Sequence, residues 1–191
     1  MWFTGCANYP NFLIEDSMGN IQCAGYNNYY NLGIGNNTTQ NSFQTPKVQI
    51  GSNTQKDIRN VKQISSYSHY NDTSVRILTW DGIMYSAGRN SYGMAAVGWS
   101  SGNANTDRDA ENGKEHFNDG YFIQNKVPSS MMANVEDVNG CGYGDNSDTN
   151  YGFFEYKTFD NRYYLNGYGG SYMQGQWDGQ YVTIPHPPIL G

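Results

Sequence analysis

Three copies of one hairpin pattern constrain the fold of this chain more than any other feature. In each copy, a strand-like apolar run passes through a turn signal into a second short apolar run that ends at a glycine. The copies span residues 13–25, 75–88 and 153–167, and their equivalent glycines are Gly25, Gly88 and Gly167. An isolated two-stranded hairpin is marginally stable in water. The sequence therefore predicts that the three units stack on one another and share a core.

The second copy shows the pattern most clearly. Its two apolar runs meet at Trp80-Asp81-Gly82, and an Asp-Gly turn signal favours a tight hairpin. An entry strand, V-K-Q-I-S at 61–65, is predicted before this hairpin, as V-E-D-V-N-G at 135–140 is before the third. Each unit is therefore predicted to contain a leading strand, a hairpin and then a polar loop.

The loops that follow the glycines resemble those of the regulator of chromosome condensation family. Repeats of that family continue into a W-G-x-N-x-Y-G-Q-L-G-x-G motif and a Pro-containing exit. The best match here is G-Y-N-N-Y-Y-N-L-G-I-G at 25–35, followed by Q-T-P-K-V at 44–48. The second copy gives G-R-N-S-Y-G-M at 88–94 with an exit at 126–128, and the third, at 167–172, is degenerate. The resemblance implies a β-propeller of about seven four-stranded blades.

Together, the hairpins and the resemblance predict an all-β chain of about three propeller-type blades of antiparallel strands. We divide it into a first repeat (1–60), a second repeat (61–134) with an inserted loop at 99–119, and a third repeat with a Pro-rich C-terminal tail (135–191). A closed propeller needs about four blades or more. The chain is therefore a part of a longer protein, a propeller completed by other copies, or an open array.

The inserted loop contains a partial match to a calcium-binding loop. Asp107, Asp109 and Glu111 alternate as the first ligands of such a loop would. Glycine falls at the seventh position instead of the sixth, and Asn118 stands where the terminal glutamate is expected. We therefore predict a solvated acidic loop and assign no metal site; a looser, non-helical calcium site is the alternative that the sequence leaves open.

Composition and charge limit the classes of partner. Charged residues make up 15% of the chain, against about 25% in average domains. The net charge is −6, and the 11 Lys and Arg residues are scattered, so the sequence predicts no nucleic-acid partner. No apolar run has the length of a membrane-spanning helix, and the N-terminus lacks the pattern of a signal peptide.

Catalytic and cofactor chemistry is not indicated by any motif. The three cysteines, Cys6, Cys23 and Cys141, are odd in number and form no C-x-x-C pair. Cys23 follows the first turn and is predicted to be a small buried apolar residue. There is no nucleophile elbow, phosphate-binding loop or zinc-binding helix motif. We therefore expect a protein that is not an enzyme and needs no cofactor.

The sequence favours a binding module. Repeats rich in Asn, Gly and Tyr, with polar tips and few charges, resemble those of bacteriophage tail fibres and related receptor-binding proteins. That resemblance implies a virion protein that recognises a host-surface glycan or protein and contacts copies of itself or other virion proteins. Aromatic side chains would stack on sugar rings. The candidate ligand-binding residues are Trp99, Tyr29, Tyr30, Tyr92, Tyr143 and Tyr172.

Other interpretations of the same residues stay open. Tyr30, Tyr92 and Tyr172 also suit packing at a blade corner, and Trp99 suits packing at the base of its loop. The protein itself could be a structural virion component that makes only protein–protein contacts. It could also be a cellular adaptor or exchange factor of the chromosome-condensation type, which the low number of blades and the lack of an evident extra hairpin disfavour.

Overall fold

The prediction of an all-β chain is confirmed. The computed structural model describes residues 1–6, 9–51, 53–69, 72–90, 96, 120–144, 150–168 and 181–187. These residues form three β-sheets joined by turns and loops, and contain no helix. Accordingly, no helical segment of the described ranges has the length and apolar character needed to cross a membrane.

The first and third sheets are four-stranded antiparallel meanders. The first contains β1 (Trp2–Cys6), β2 (Tyr9–Glu15), β3 (Ile21–Gly25) and β4 (Gln40–Gln44). The third contains β11 (Val135–Gly144), β12 (Asn150–Thr158), β13 (Tyr163–Tyr168) and β14 (Tyr181–His186). In both sheets, neighbours in the chain are neighbours in space, as expected of a propeller blade.

The middle sheet has the same four-strand plan with a hairpin added at its outer edge. Its meander is β7 (Val61–His69), β8 (Asp72–Thr79), β9 (Met84–Gly88) and β10 (Phe122–Gln124). The added hairpin is β5 (Lys47–Gly51) and β6 (Thr54–Asp57), and β5 pairs with β10 in parallel. This hairpin was not predicted from the sequence, because its outer strand β6 carries mostly exposed polar residues and lacks the alternation typical of a strand.

The three predicted hairpins are confirmed, and they pair in one register. The matching cross-strand pairs are Ile14 with Gln22, Ile77 with Tyr85, and Tyr156 with Tyr164. The glycines that close the hairpins are also equivalent in structure. A Cβ atom on Gly25, Gly88 or Gly167 would lie 2.3, 2.1 or 2.4 Å from the carbonyl oxygen of Pro10, Thr73 or Gly152, respectively. Each also has a φ near +100° to +120° (+114°, +97° and +120°), so only glycine suits these positions.

The core lies between successive sheets. The innermost strand of the middle sheet, β7, packs against β1 on one side and β11 on the other. One apolar cluster joins the first sheet to the middle sheet, and a second joins the middle sheet to the third. Every residue of β9 and the residues 73–79 of β8 are buried. The middle sheet is therefore covered on both faces, as a blade inside a propeller is.

Arg76 and Cys23 are among the groups buried in these interfaces. Arg76 is fully buried, and its guanidinium carbon lies 4.1 Å from the ring centroid of Phe154 in the next sheet. Cys23 is a free, fully buried cysteine, which confirms its prediction as a small core residue. Burial raises the pKa of the Cys23 thiol to about 12.

Candidate functional site

The turns of the three hairpins share one hydrogen-bonded frame. In the turn after β8, the N–H of Thr79 donates to the carbonyl of Ile83 (3.0 Å) and the N–H of Gly82 donates to that of Thr79 (2.9 Å). The turns after β2 and β12 repeat both bonds. The corresponding donor–acceptor pairs are Asp16 to Asn20, Gly19 to Asp16, Thr158 to Arg162, and Asn161 to Thr158. Gly19, Gly82 and Asn161 all have positive φ, which matches a three-residue hairpin loop that ends in a left-handed residue.

This frame places an aromatic side chain at the same position in two neighbouring sheets. Trp80 directly follows Thr79, and Phe159 directly follows Thr158. Trp80 is 70% exposed and Phe159 is 59% exposed. The backbone of each is held by the residue just before its leading strand. The N–H of Trp80 donates to the carbonyl of Asn60 (2.9 Å), and that of Phe159 donates to the carbonyl of Asn134 (3.1 Å). The first sheet has Ser17 at this position. The aromatic pair therefore belongs to the junction of the middle and third sheets.

A lysine holds the two rings together. The ammonium of Lys62, on β7, lies 5.6 Å from the ring centroid of Trp80 and 4.8 Å from that of Phe159, both in the range of cation–π contacts. The same ammonium donates a hydrogen bond of 2.5 Å to the backbone carbonyl of Glu136 on β11. Trp80, Lys62 and Phe159 form what we call the aromatic cluster. Both of its rings face solvent, and its central side chain has partners on both sheets.

Each ring is followed in the chain by an aspartate. The hydroxyl of Thr79 donates to Oδ1 of Asp81 at 2.5 Å, and the hydroxyl of Thr158 donates to Oδ1 of Asp160 at 2.6 Å. Asp160 also forms an ion pair of 3.0 Å with Arg162. The Thr158 hydroxyl bond, helped by Arg162, holds the pKa of Asp160 below its usual value. Both carboxylates are thus oriented by their own turns and can accept hydrogen bonds beside an exposed ring.

One further ion pair lies beside the cluster. Lys157 and Glu136 form an ion pair of 2.6 Å across β11 and β12, and this hydrogen bond raises the pKa of Lys157. Within the described residues, no group of three or more His, Cys, Asp or Glu side chains could hold a metal ion. The arrangement therefore offers stacking surfaces and hydrogen-bond acceptors.

Two of the predicted ligand-binding residues, Tyr29 and Tyr30, lie between the first and middle sheets. Both are half-buried. The guanidinium carbon of Arg89 lies 5.3 Å from the ring centroid of Tyr29. Tyr30 adopts a φ of 60° and packs against Gly120, where a Cβ atom would lie 2.6 Å from its ring. These contacts belong to the packing of the loop, and a ligand-binding role for either tyrosine stays a prediction.

The loop that carries these tyrosines is built by buried asparagines. Asn27 is fully buried; its Oδ1 accepts the N–H of Leu32 (2.9 Å) and its Nδ2 donates to the carbonyl of Asn36 (2.6 Å). Gly33 lies so close to Phe122 that a Cβ atom would be 2.1 Å from its ring. The Asn and Gly residues of the 25–35 motif therefore have structural roles in joining one sheet to the next.

The remaining predicted positions are not tested. Tyr143 lies in β11, while Trp99, Tyr92 and Tyr172 lie outside the described residues, as does the loop 99–119 that contains the partial calcium motif.

Sequence analysis did not select Trp80, Phe159 or Lys62 as site residues. Trp80 was noted only as part of a turn signal, and Phe159 only as part of the third repeat. The shared turn frame was visible in the sequence as matching hairpins. A signal that could have identified the pair is the recurrence of an aromatic residue followed by Asp at the start of two of the three turns.

The fold of this chain is similar to part of solved β-propellers, and these propellers are of the type that the sequence motifs resemble. The chain aligns over 99% of its length with 38% of Prp20p from Saccharomyces cerevisiae, at 12% identity and a TM-score of 0.57; that structure was described with its binding properties to Gsp1p and histones. It aligns over 93% of its length with 35% of yeast RCC1 (Prp20) bound to Kap60, at 16% identity and a TM-score of 0.50. No protein-family model and no curated protein matches the sequence.

The chain thus spans little more than a third of each of those propeller proteins. At these identities the likeness concerns the fold alone. The prediction of an all-β chain of propeller-type blades is confirmed.

Proposed function

We propose that this protein is a non-enzymatic binding module that recognises a saccharide on a host-cell surface, in the setting of a virion fibre or receptor-binding protein. The observation that carries the proposal is the aromatic cluster. Two large rings, Trp80 and Phe159, are mostly exposed on one surface and are held in place by a shared lysine.

The chemistry of the cluster suits a sugar. Aromatic rings stack on the apolar faces of pyranose rings, and Asp81 and Asp160 can accept hydrogen bonds from hydroxyl groups beside them. Because Lys62 already contacts both rings, less side-chain freedom is lost on binding than for rings without such contacts. The low content of charged residues, 15% of the chain, agrees with a surface that relies on stacking and hydrogen bonds.

A printed array of bacterial surface polysaccharides, together with whole-cell binding, tests the proposal. We expect the chain to bind one or a few polysaccharides, and Trp80→Ser to reduce that binding because it removes one of the two rings. Serine is the replacement because Ser17 occupies the same position in the first turn. Phe43→Ser is the matched control, since Phe43 is also exposed (51%) but lies on the edge strand β4. Absence of binding to any saccharide or cell, or equal loss in both variants, would overturn the proposal.

A protein-binding role of the adaptor or exchange-factor type is the second candidate. It is favoured by the fold likeness to Prp20p and by the added hairpin β5–β6, which enlarges the middle sheet beyond a plain blade. We expect no stimulation of nucleotide exchange on small GTPases if the saccharide role is the true one. Stimulation that is lost on deleting residues 47–57 would favour the second candidate instead.

A further inference from the structure

The two turns of the aromatic cluster are equivalent units on adjacent sheets. Each presents an exposed ring and, one residue later, a carboxylate held by a threonine hydroxyl: Trp80 with Asp81, and Phe159 with Asp160. The backbone frames of the two turns match bond for bond. A group that stacks on one ring and bonds its carboxylate can therefore do the same at the other.

The spacing of the two units limits the length of what binds them. The ring centroids lie 5.6 and 4.8 Å from the single ammonium of Lys62, so the two rings are at most about 10 Å apart. A short run of linked pyranose rings is long enough to span such a distance. A chain of linked pyranose rings with a repeating unit can place equivalent sugars on both.

Charge at the cluster also selects among polysaccharides. Lys62 already has partners in both rings and in a backbone carbonyl, and each ring is followed in the chain by a carboxylate, Asp81 or Asp160. The whole chain carries a net charge of −6. A polyanionic glycan would be repelled by this field, whereas a neutral one is not.

We infer that the aromatic cluster is a two-subsite platform for a neutral polysaccharide with a repeating unit, and that one polymer chain contacts both subsites at once. This inference rests on the proposed function. It adds the number of subsites, the polymeric nature of the ligand and its lack of charge. The second contact is intramolecular once the first has formed, so affinity rises steeply when a fragment becomes long enough to reach both rings.

The test uses size-fractionated fragments of whichever array polysaccharide the chain binds most tightly, measured by titration calorimetry. For the unmodified chain, we expect affinity to rise by tenfold or more between fragments that reach one ring and fragments that reach both. In Trp80→Ser and in Phe159→Ser, long and short fragments should bind with nearly equal affinity, because only one subsite remains. Phe43→Ser should keep the full dependence on length, and binding should change little with added salt.

The possible outcomes separate the inference from the proposed function. Short fragments that bind as tightly as long ones, or single variants that keep the length dependence, would overturn the two-subsite inference and leave saccharide recognition standing. A preference for acidic polysaccharides, with affinity that falls steeply with salt, would overturn the claim of a neutral ligand. No saccharide binding at all would overturn both.

Discussion

Asn27 shows at the scale of one residue how a polar side chain shapes the loop between two sheets. Both ends of its buried amide are hydrogen-bonded to backbone groups of the loop, to Leu32 and to Asn36. Removing them leaves the buried N–H of Leu32 without this partner, whereas the carbonyl of Asn36 lies on an exposed residue. We expect Asn27→Ala to lower the free energy of unfolding by about 1–3 kcal/mol.

The neighbouring Asn28 provides the control for this prediction. It has the same side chain but is exposed. In urea denaturation, Asn28→Ala should change the free energy of unfolding by less than about 0.5 kcal/mol. Equal effects of the two substitutions would show that the buried amide contributes nothing special to the loop.

Cys23 makes a second prediction at this scale, concerning pH. Because burial raises its pKa from 9.0 to about 12, the thiol is neutral in the folded protein at neutral pH. Iodoacetamide at about pH 8 should leave Cys23 unmodified in the folded chain and modify it in denaturant, as read by peptide mass spectrometry. Modification at equal rates in both states would contradict the buried position.

The direction of the associated stability change follows from the same shift. A folded-state pKa above the unfolded value means that the contribution of this thiol to stability is fully present below pH 9.0. It is lost progressively as the pH rises toward about 12.

At the scale of the element, the hairpins depend on glycines that no other residue can replace. Gly88 has a φ of +97°, and a Cβ atom there would lie 2.1 Å from the carbonyl oxygen of Thr73. We expect Gly88→Ala to destabilise the protein by about 2–4 kcal/mol, from left-handed strain and from the forced movement of β8. Gly51→Ala is the control, because a Cβ atom there meets nothing closer than 3.8 Å. A melting temperature equally unchanged in both variants would show that the hairpin tolerates a side chain.

The hairpins could be predicted from the sequence because apolar runs, turn residues and glycines recur together. The recurrence of Gly25, Gly88 and Gly167 reflects one steric requirement, which leaves a clear mark in the sequence. The added hairpin β5–β6 leaves no such mark. Its outer strand is polar and mostly exposed, and it is held by backbone pairing that does not depend on residue type.

The candidate site was harder to predict for a different reason. Trp80 and Phe159 are far apart in the chain, and their contact with Lys62 exists only because adjacent sheets face each other. Local sequence favoured the loop tyrosines, since aromatic residues in polar loops suit ligand binding. For Tyr29 and Tyr30 the structure adds contacts between sheets, with Arg89 and Gly120, which local sequence does not specify.

At the scale of the whole molecule, the two faces of the first sheet are unequal. One face packs on the middle sheet through a shared apolar cluster. The other carries Phe3, which is 71% exposed and meets Phe12 edge-on at 5.3 Å. Phe12 and Ile14 are half-buried, whereas the residues at the equivalent hairpin positions of the other sheets are fully buried: Val75, Ile77, Phe154 and Tyr156.

This open face predicts association. In the other two sheets, the equivalent face is covered by the preceding sheet, and burying apolar area contributes about 25 cal/mol per Å². We expect the 191-residue chain to associate reversibly as its concentration rises in sedimentation-velocity experiments. Phe3→Asp should weaken that association by about tenfold or more, because a charge would be buried in the contact. Phe43→Asp introduces the same charge on the edge strand β4 and should leave it unchanged. A chain that stays monomeric at all concentrations, or that responds equally to both substitutions, would show that this face is not used.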